Sequence, residues 1–170
     1  MQPAELKKRR DKTPEQALAA LMRLCARAEK SESDARRLMR GWGLADRDAE
    51  QVLGKLVHDR FIDDSRYAEA FVREKLRLSG WGAYKIRTAL QRKGIRKELV
   101  DAALAQAGGT DMGQRLAQML ARKARTVKAA TPYDLKTKLI RYGLSLGYEY
   151  EAVIETASAM VRETDTCDDF

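Results

Sequence analysis

Apolar residues recur at intervals of three and four along most of the chain, which is the spacing of one face of an α-helix. Thr13-Pro14-Glu15-Gln16 combines a capping threonine, a proline suited to the first helical turn and a glutamine that can complete a capping box. Thr131-Pro132 repeats this arrangement far downstream, and Ser31 and Asp46 are further candidate N-caps. No stretch alternates polar and apolar positions with enrichment in β-branched residues. The pattern predicts an all-α protein.

Three glycines mark an internal repeat. When Gly43, Gly94 and Gly147 are placed in register, similar small or apolar residues stand at corresponding positions before and after each of them. The glycines are 51 and 53 residues apart, so each repeat has room for three helices. We therefore predict three repeats, each with a long first helix, a second helix that ends at the glycine, and a third helix.

This register predicts both the domains and the helix bounds. The domains are a basic N-terminal arm at 1–12, three-helix repeats at 13–61, 62–108 and 109–162, and an acidic, disordered tail at 163–170. The helices cover 14–29, 32–41 and 46–60, then 64–79, 82–93 and 96–107, and finally 111–128, 132–145 and 149–163. Because repeats in series bury the surfaces between neighbours, we expect an elongated and curved tandem array.

The second repeat shows what the glycine is expected to do. Ile86 and Leu90 are four residues apart and share one face of the second helix. Gly94 follows them at the C′ position, where the left-handed backbone would cost a residue with a Cβ about 1–2 kcal/mol. Ile95 then turns back onto the helix that has just ended, and the third helix covers both.

The charge distribution suggests an anionic partner. The net charge is +8, and the sequence pI is about 9.6. Six basic residues and no acidic one lie between Lys85 and Lys97, and eight basic residues lie between Arg115 and Arg141 with only Asp134 as an acid. Either run alone is typical of a solvated helix face, whereas both together favour a polyanion or an acidic protein surface as partner.

The composition argues against an enzyme and against a secreted or membrane protein. His58 is the only histidine, at the predicted end of a helix, and we expect it to be exposed. No phosphate-binding loop, nucleophile elbow or metal-ligand spacing is present. Cys25 and Cys167 are far apart and are expected to be free thiols. The N-terminus lacks the apolar segment of a signal peptide, and no apolar run approaches the length of a membrane span. A cytoplasmic location follows as an expectation.

Two consecutive motifs in the second repeat carry a family resemblance. The first is an acidic pair followed by an aromatic-Ala-x-x-Phe-Val-Arg helix, at Asp63–Arg73. The second is Gly-x-x-x-Ile-Arg-x-x-Leu-x-x-Lys-Gly-Ile, at Gly82–Ile95. Together they resemble the signature of the RecX family of bacterial recombination regulators, and weaker similarity extends from about Thr13 to Arg162. Gly143 departs from the family, which usually has leucine there, and should weaken its helix by roughly 0.5–1 kcal/mol relative to alanine.

The resemblance implies a non-enzymatic regulator of RecA, the recombinase that polymerises on single-stranded DNA. RecX-like proteins are built from tandem three-helix repeats and lie along the groove of the RecA filament, where they limit its growth, ATPase, strand exchange and SOS coprotease activity. This implies that the protein acts in DNA repair and recombination, with the RecA filament and single- or double-stranded DNA as partners. A monomer with no cofactor, metal or membrane partner is expected. The alternative from charge alone is a nucleic-acid-binding protein that acts through basic helical faces without RecA.

Several side chains are singled out as candidates. The expected filament contacts are basic: Lys85, Arg87, Arg92, Lys93, Arg122, Lys123 and Arg125. Trp81 and Trp42 are interpreted as packing anchors, with an exposed interface role as the alternative. Tyr67 and Phe71 are expected in the core. Asp63 and Asp64 resemble a paired-carboxylate site, but capping of a helix N-terminus is the preferred interpretation.

Overall fold

The computed structural model describes residues 11–107 and 111–165, and within these ranges the chain forms helices, turns and loops without a strand. The prediction of an all-α fold is confirmed. The described residues contain nine α-helices: α1 (Pro14–Arg27), α2 (Glu32–Gly41), α3 (Asp46–His58), α4 (Asp64–Glu74), α5 (Ala83–Arg92), α6 (Lys97–Gln106), α7 (Asp111–Thr126), α8 (Pro132–Ser145) and α9 (Tyr150–Asp165). A π-helical turn, Lys75–Ser79, directly follows α4.

The helix starts follow the capping residues found in the sequence. Thr13 accepts a hydrogen bond from the Gln16 N–H, and the Gln16 side chain accepts one in return from the Thr13 N–H. Ser31 and Asp34 form the same reciprocal pair at the start of α2. Asp46 is wrong as an N-cap, because it is already the first residue of α3 and Ala45 stands at the cap position. Its carboxylate instead lies in the first turn, where the helix dipole favours an acid.

The repeat glycines adopt the left-handed conformation. Gly43, Gly94 and Gly147 have φ angles of 78°, 76° and 86°, which confirms the expectation for Gly94. After the first of them, the Leu44 N–H donates to the Met39 carbonyl at 3.1 Å, so the chain folds back onto the helix that has just ended. The chain can reverse direction at each of these glycines without strain because glycine has no Cβ.

The sequence pattern did not reveal the π-helical turn. The predicted helix over 64–79 is α-helical only to Glu74. The Trp81 N–H then donates to the Lys75 carbonyl at 3.1 Å, across the wide turn that ends at Gly80 with φ 64°. Leu76 remains buried through this turn. Apolar periodicity cannot distinguish this local widening from a continuous α-helix, since both bury the same residue.

The chain divides into two compact units. Unit 1 consists of Met1–Ala68 with Lys93–Ile95, and unit 2 consists of Glu69–Arg92 with Arg96–Phe170. The predicted division into three repeats, at 13–61, 62–108 and 109–162, does not coincide with these two units and stays a prediction. The predicted break at Phe61–Ile62 lies in the segment between α3 and α4, and the break at Gly108–Gly109 lies outside the described residues.

Each unit has its own aliphatic core. In unit 1, α1 and α2 pack on α3 around fully buried side chains that include Leu21, Met39 and Leu56. In unit 2, α7, α8 and α9 pack on one another around Leu116, Leu120, Leu139 and Val153, and α5 packs on α6. Because the buried residues are mostly aliphatic, the small aromatic content of the chain suffices for folding.

The paired aspartates cap two different helices. The Asp63 carboxylate accepts hydrogen bonds from the Ser65 and Arg66 N–H groups at 2.9 and 3.1 Å and so begins α4. The Asp64 carboxylate accepts from the Glu32 N–H at 2.9 Å, at the start of α2. The capping interpretation is therefore confirmed, but the helix that Asp64 caps is 32 residues away and was not foreseen.

Two other sequence expectations need correction. Tyr67 is buried as predicted, but Phe71 is only half-buried, because its ring lies beside Trp81 at the surface. Gly143 lies within α8, which ends at Ser145 as predicted. Helix α9 extends through Asp165, so the first three residues of the acidic tail are helical rather than disordered; residues 166–170 lie outside the described part.

Candidate functional site

The predicted contact residues lie on two helices and one turn. Six of them belong to unit 2, on α5 and α7, and Lys93 belongs to unit 1. Arg92, Arg122 and Arg125 are exposed. Arg92 is the last residue of α5 and Arg125 lies in the last turn of α7, where the helix dipole favours a cation. These three guanidinium groups are the predicted contacts most accessible to a partner.

Arg87 takes part in a charged network on unit 2. Its guanidinium lies 3.1 Å from the Asp101 carboxylate, and the Lys97 ammonium lies 2.6 Å from the other oxygen of the same group. The hydrogen bond from Lys97, with Arg87 adding, lowers the pKa of Asp101. To bind a partner's anion through both of its nitrogens, Arg87 would first have to release the Asp101 carboxylate.

Lys93 is held in place by two neighbours in unit 1. Its ammonium lies 3.5 Å from the Asp34 carboxylate and 5.5 Å from the centre of the Tyr67 ring. The hydrogen bond to Tyr67 raises the pKa of Lys93; burial opposes this shift, and Asp34 supports it. Burial alone would raise the pKa of Asp34, but the Ser31 N–H, the Lys93 ammonium and Arg37 lower it overall. The arrangement favours a structural role for Lys93.

Lys93→Met should therefore lower the stability of the fold by about 0.2–1 kcal/mol, whereas Arg92→Met should leave it unchanged. Asp34 is charged above its usual pKa of 3.8, and its contribution is lost as the pH falls through the lowered value. Lys93 contributes below its usual pKa of 10.5 and loses its charge only as the pH rises through the raised value. Urea unfolding should show that the stability lost in Lys93→Met is constant near neutral pH and becomes smaller in acid. If Lys93→Met still lost the same stability after Asp34 is protonated, the ion-pair explanation would be wrong.

Lys85 is positioned over an aromatic side chain. Its ammonium lies 4.6 Å from the centre of the Trp81 ring and donates to the Ser145 carbonyl at 3.1 Å. Lys75 lies 5.2 Å from the same ring, and Phe71 meets it edge-on at 6.4 Å between centroids. Cation–π attraction and the hydrogen bond thus restrict Lys85 to one position. Trp81 is half-buried and combines packing with partial exposure.

The end of α5 nearest to Trp81 is fastened to the turn between α8 and α9. The Gly82 N–H donates to the Leu146 carbonyl at 2.7 Å, and the Tyr84 N–H donates to the Gly147 carbonyl at 3.1 Å. On α7, the Lys123 ammonium lies 5.1 Å from the centre of the Tyr142 ring. These contacts join α5 and α7 to the α8 region of the same unit.

Sequence reasoning missed two residues of this surface. Lys75 was not among the candidates, because its place beside Trp81 results from the π-helical turn. Tyr84 was quoted only as part of the family motif, yet 66% of its surface is exposed. Its position between Trp81 and Lys85 in a basic segment was the only available signal.

His58 and Cys25 are placed as the sequence suggested. His58 is exposed at the end of α3 and lies 3.0 Å from the Asp59 carboxylate. Cys25 is a free thiol, and burial raises its pKa; Cys167 lies outside the described residues. Within the described ranges, no three His, Cys, Asp or Glu side chains come together as a metal site. None of the helices in these ranges is both long and apolar enough to cross a bilayer.

The fold and this surface define a class: an all-helical protein of three-helix repeats with basic side chains exposed on α5 and α7 and an exposed tyrosine on α5. The family model described as the second three-helix domain of RecX matches residues 63–104. The regulatory protein RecX of Pseudomonas savastanoi pv. phaseolicola is 30% identical over 136 residues, which cover 80% of this chain and 84% of that protein. The chain therefore belongs to the RecX family of regulatory proteins.

Other relatives differ in length. The regulatory protein RecX of Lactobacillus delbrueckii subsp. bulgaricus is 31% identical over 101 residues, and the alignment spans 57% of this chain but only 37% of that protein. The crystal structure of RecX from Lactobacillus salivarius superposes with a TM-score of 0.77 at 18% identity and covers 88% of this chain and 96% of that one. This structural similarity establishes the fold.

Proposed function

We propose that this protein is a non-enzymatic modulator of RecA that binds the RecA–single-stranded DNA filament and limits its growth. The observation that carries the proposal is the similarity to a regulatory protein RecX over 84% of that protein's length. Reduced RecA ATPase, strand exchange and SOS coprotease activity would follow from shorter filaments.

The exposed cations of unit 2 support this proposal. Arg92, Arg122 and Arg125 are accessible, and a nucleoprotein filament presents phosphates and carboxylates. Guanidinium groups suit both kinds of anion, because their fork geometry matches two acceptor oxygens. We assign the filament contact to these three residues in preference to Arg87 and Lys93, because the charged groups of Arg87 and Lys93 already have partners within the protein.

The test is inhibition of the DNA-dependent ATPase of RecA. The wild-type protein should suppress it while hydrolysing no ATP itself. Arg92→Glu and the double variant Arg122→Glu/Arg125→Glu should each raise the concentration needed for half-inhibition by about tenfold or more, since each adds a repulsive charge at an interface. Arg47→Glu is the matched control, because Arg47 is an exposed arginine on α3 outside the predicted contacts. Circular dichroism verifies that each variant is folded.

Two outcomes would contradict the proposal. If wild-type protein leaves RecA ATPase unchanged, the assignment to RecA is wrong. If all folded variants inhibit as strongly as Arg47→Glu, the three arginines are only a solvated face. Binding to bare DNA and to RecA filaments at matched salt separates the alternative: a purely phosphate-directed protein would bind both equally, with affinity falling steeply as salt is raised.

A further inference from the structure

A groove in unit 2 lies between α5 and the turn that joins α8 to α9. Its cavity volume is about 280 Å³. Its lining contains two basic residues, Lys85 and Arg92, and no acidic one. A cavity of this size, with an apolar lining and a few polar groups, has the character of a binding site for one side chain of a partner.

The walls of the groove are held together by backbone contacts. The Gly82 and Tyr84 N–H groups donate to the Leu146 and Gly147 carbonyls on the opposite wall. Gly147 lies so close to the Lys85 backbone that a Cβ at that position would have no space. The groove is therefore formed before any partner binds, and binding carries no free-energy cost for ordering its walls.

Two large apolar side chains remain exposed at its rim. Tyr84 on α5 is 66% exposed, and Leu144 on α8 is 39% exposed. Single exposed apolar residues are common on protein surfaces, but two from different helices beside the same cavity indicate a surface that a partner covers. Ala89 continues this apolar surface inside the groove.

The cations of the groove define the charge of the partner. The ammonium of Lys85 is fixed by Trp81 and by the Ser145 carbonyl, and Arg92 lies seven residues further along α5. Seven residues of helix span about 10.5 Å, so the backbones of these two residues are about that far apart. In a peptide extended as a polyproline II helix, residues three positions apart lie on the same face and are separated by about 9.3 Å. Two acidic side chains with this spacing therefore match Lys85 and Arg92.

We infer that this groove binds an extended acidic peptide segment in which a Phe or Leu side chain lies between two carboxylates. The apolar side chain enters the cavity beside Tyr84 and Leu144, and the carboxylates pair with Lys85 and Arg92. The inference deepens the proposed function and rests on it, because it specifies the chemistry of the partner segment at this part of the contact surface.

The alternative occupant, single-stranded nucleic acid, fits Trp81 less well. Base stacking requires an open aromatic face. The ammonium groups of Lys85 and Lys75 both lie over the Trp81 ring, at 4.6 and 5.2 Å from its centre, and Phe71 meets its edge. The indole is therefore occupied by the protein's own side chains, whereas the adjoining apolar cavity remains available for a side chain.

The experiment measures fluorescence anisotropy with a short fluorescein-labelled peptide that contains Glu-Phe-Ser-Glu between Gly and Ser residues. Two matched peptides replace Phe by Ser or both Glu by Gln, and a labelled oligothymidylate serves as the nucleic-acid probe. The full-length protein should bind the first peptide at least about tenfold more tightly than either matched peptide, because each control removes the apolar or the charged part of the interaction.

Tyr84→Ala and Arg92→Gln should each weaken binding of this peptide by about tenfold. Tyr133→Ala is the matched control: Tyr133 is 81% exposed on α8 and does not line the groove. The two tyrosines also share a local setting, since the Tyr84 and Tyr133 carbonyls accept from Thr88 and Thr137, respectively. Circular dichroism confirms that the variants are folded.

The outcomes separate the inference from the proposed function. Equal affinity for the three peptides, or equal loss with Tyr84→Ala and Tyr133→Ala, overturns the inference. Tight oligothymidylate binding that depends on Tyr84 overturns it in favour of nucleic acid. If the peptide fails to bind while RecA ATPase is still inhibited, only the groove assignment is wrong; if it binds but RecA is unaffected, the groove stands and the proposed function fails.

Discussion

Gly147→Ala is expected to lower the free energy of unfolding by about 2–5 kcal/mol, the sum of a backbone cost and a packing cost. The backbone cost arises because Gly147 has φ 86°, a left-handed conformation that penalises any Cβ by about 1–2 kcal/mol. The packing cost arises because the new Cβ would lie 2.6 Å from the Lys85 backbone nitrogen and 3.0 Å from its Cα. Backbone atoms cannot move aside without displacing α5 from the α8–α9 turn.

Gly94→Ala is the control that separates the two costs. Gly94 has a similar φ of 76°, but the nearest atoms to a Cβ there belong to Ser33 at 3.8 Å, an ordinary contact distance. Only the backbone cost of about 1–2 kcal/mol should therefore apply. Urea unfolding followed by circular dichroism measures both variants against wild type. Equal losses for Gly94→Ala and Gly147→Ala would show that the contact with Lys85 contributes nothing.

Gly143→Ala is expected to destabilise unit 2 by about 1–3 kcal/mol, although alanine favours a helix over glycine by about 0.5–1 kcal/mol. Gly143 is buried inside α8, and a Cβ there would lie 2.8 Å and 3.0 Å from the two methyl carbons of Val153 on α9. Val153 is fully buried and stiff at χ1, so it cannot rotate away. Leucine at position 143, the residue usual in the family, should cost more.

A double-mutant cycle tests this explanation. In a Val153→Ala background the space opposite Gly143 opens, so Gly143→Ala should become neutral or stabilising. Gly54→Ala is the control for helix propensity, because Gly54 lies inside α3 with no atom within 4 Å of a Cβ, and it should raise stability by about 0.5–1 kcal/mol. A stabilising effect of Gly143→Ala in the wild-type background would disprove the steric argument.

The candidate surface could be predicted from sequence only in part. The runs of basic residues identified Arg92, Arg122 and Arg125, and the structure shows all three exposed. The same runs also contain Arg87 and Lys93, whose acidic partners are 14 and 59 residues away in the chain. A charge count cannot distinguish an ion-paired cation from an accessible one, because the difference depends on which acids the fold places nearby.

Local chemistry explains why the sequence by itself determined the helices and their glycine ends. A capping box such as Thr13 with Gln16 acts within four residues, and the left-handed turn at Gly94 needs only a missing Cβ and the carbonyls of the preceding turn. These interactions exist wherever the segment is placed, so their signals can be recognised in a linear sequence.

Only the tertiary structure decided which distant groups meet. Asp64 caps α2 rather than its own helix, Lys85 lies over Trp81 beside the Ser145 carbonyl, and the absent side chain of Gly143 makes room for Val153. Apart from Lys85 and Trp81, the partners in these contacts are 10 to 60 residues apart in the chain, and no helical period relates them. Such contacts arise when helices pack, because packing sets distances and directions that local propensity leaves open.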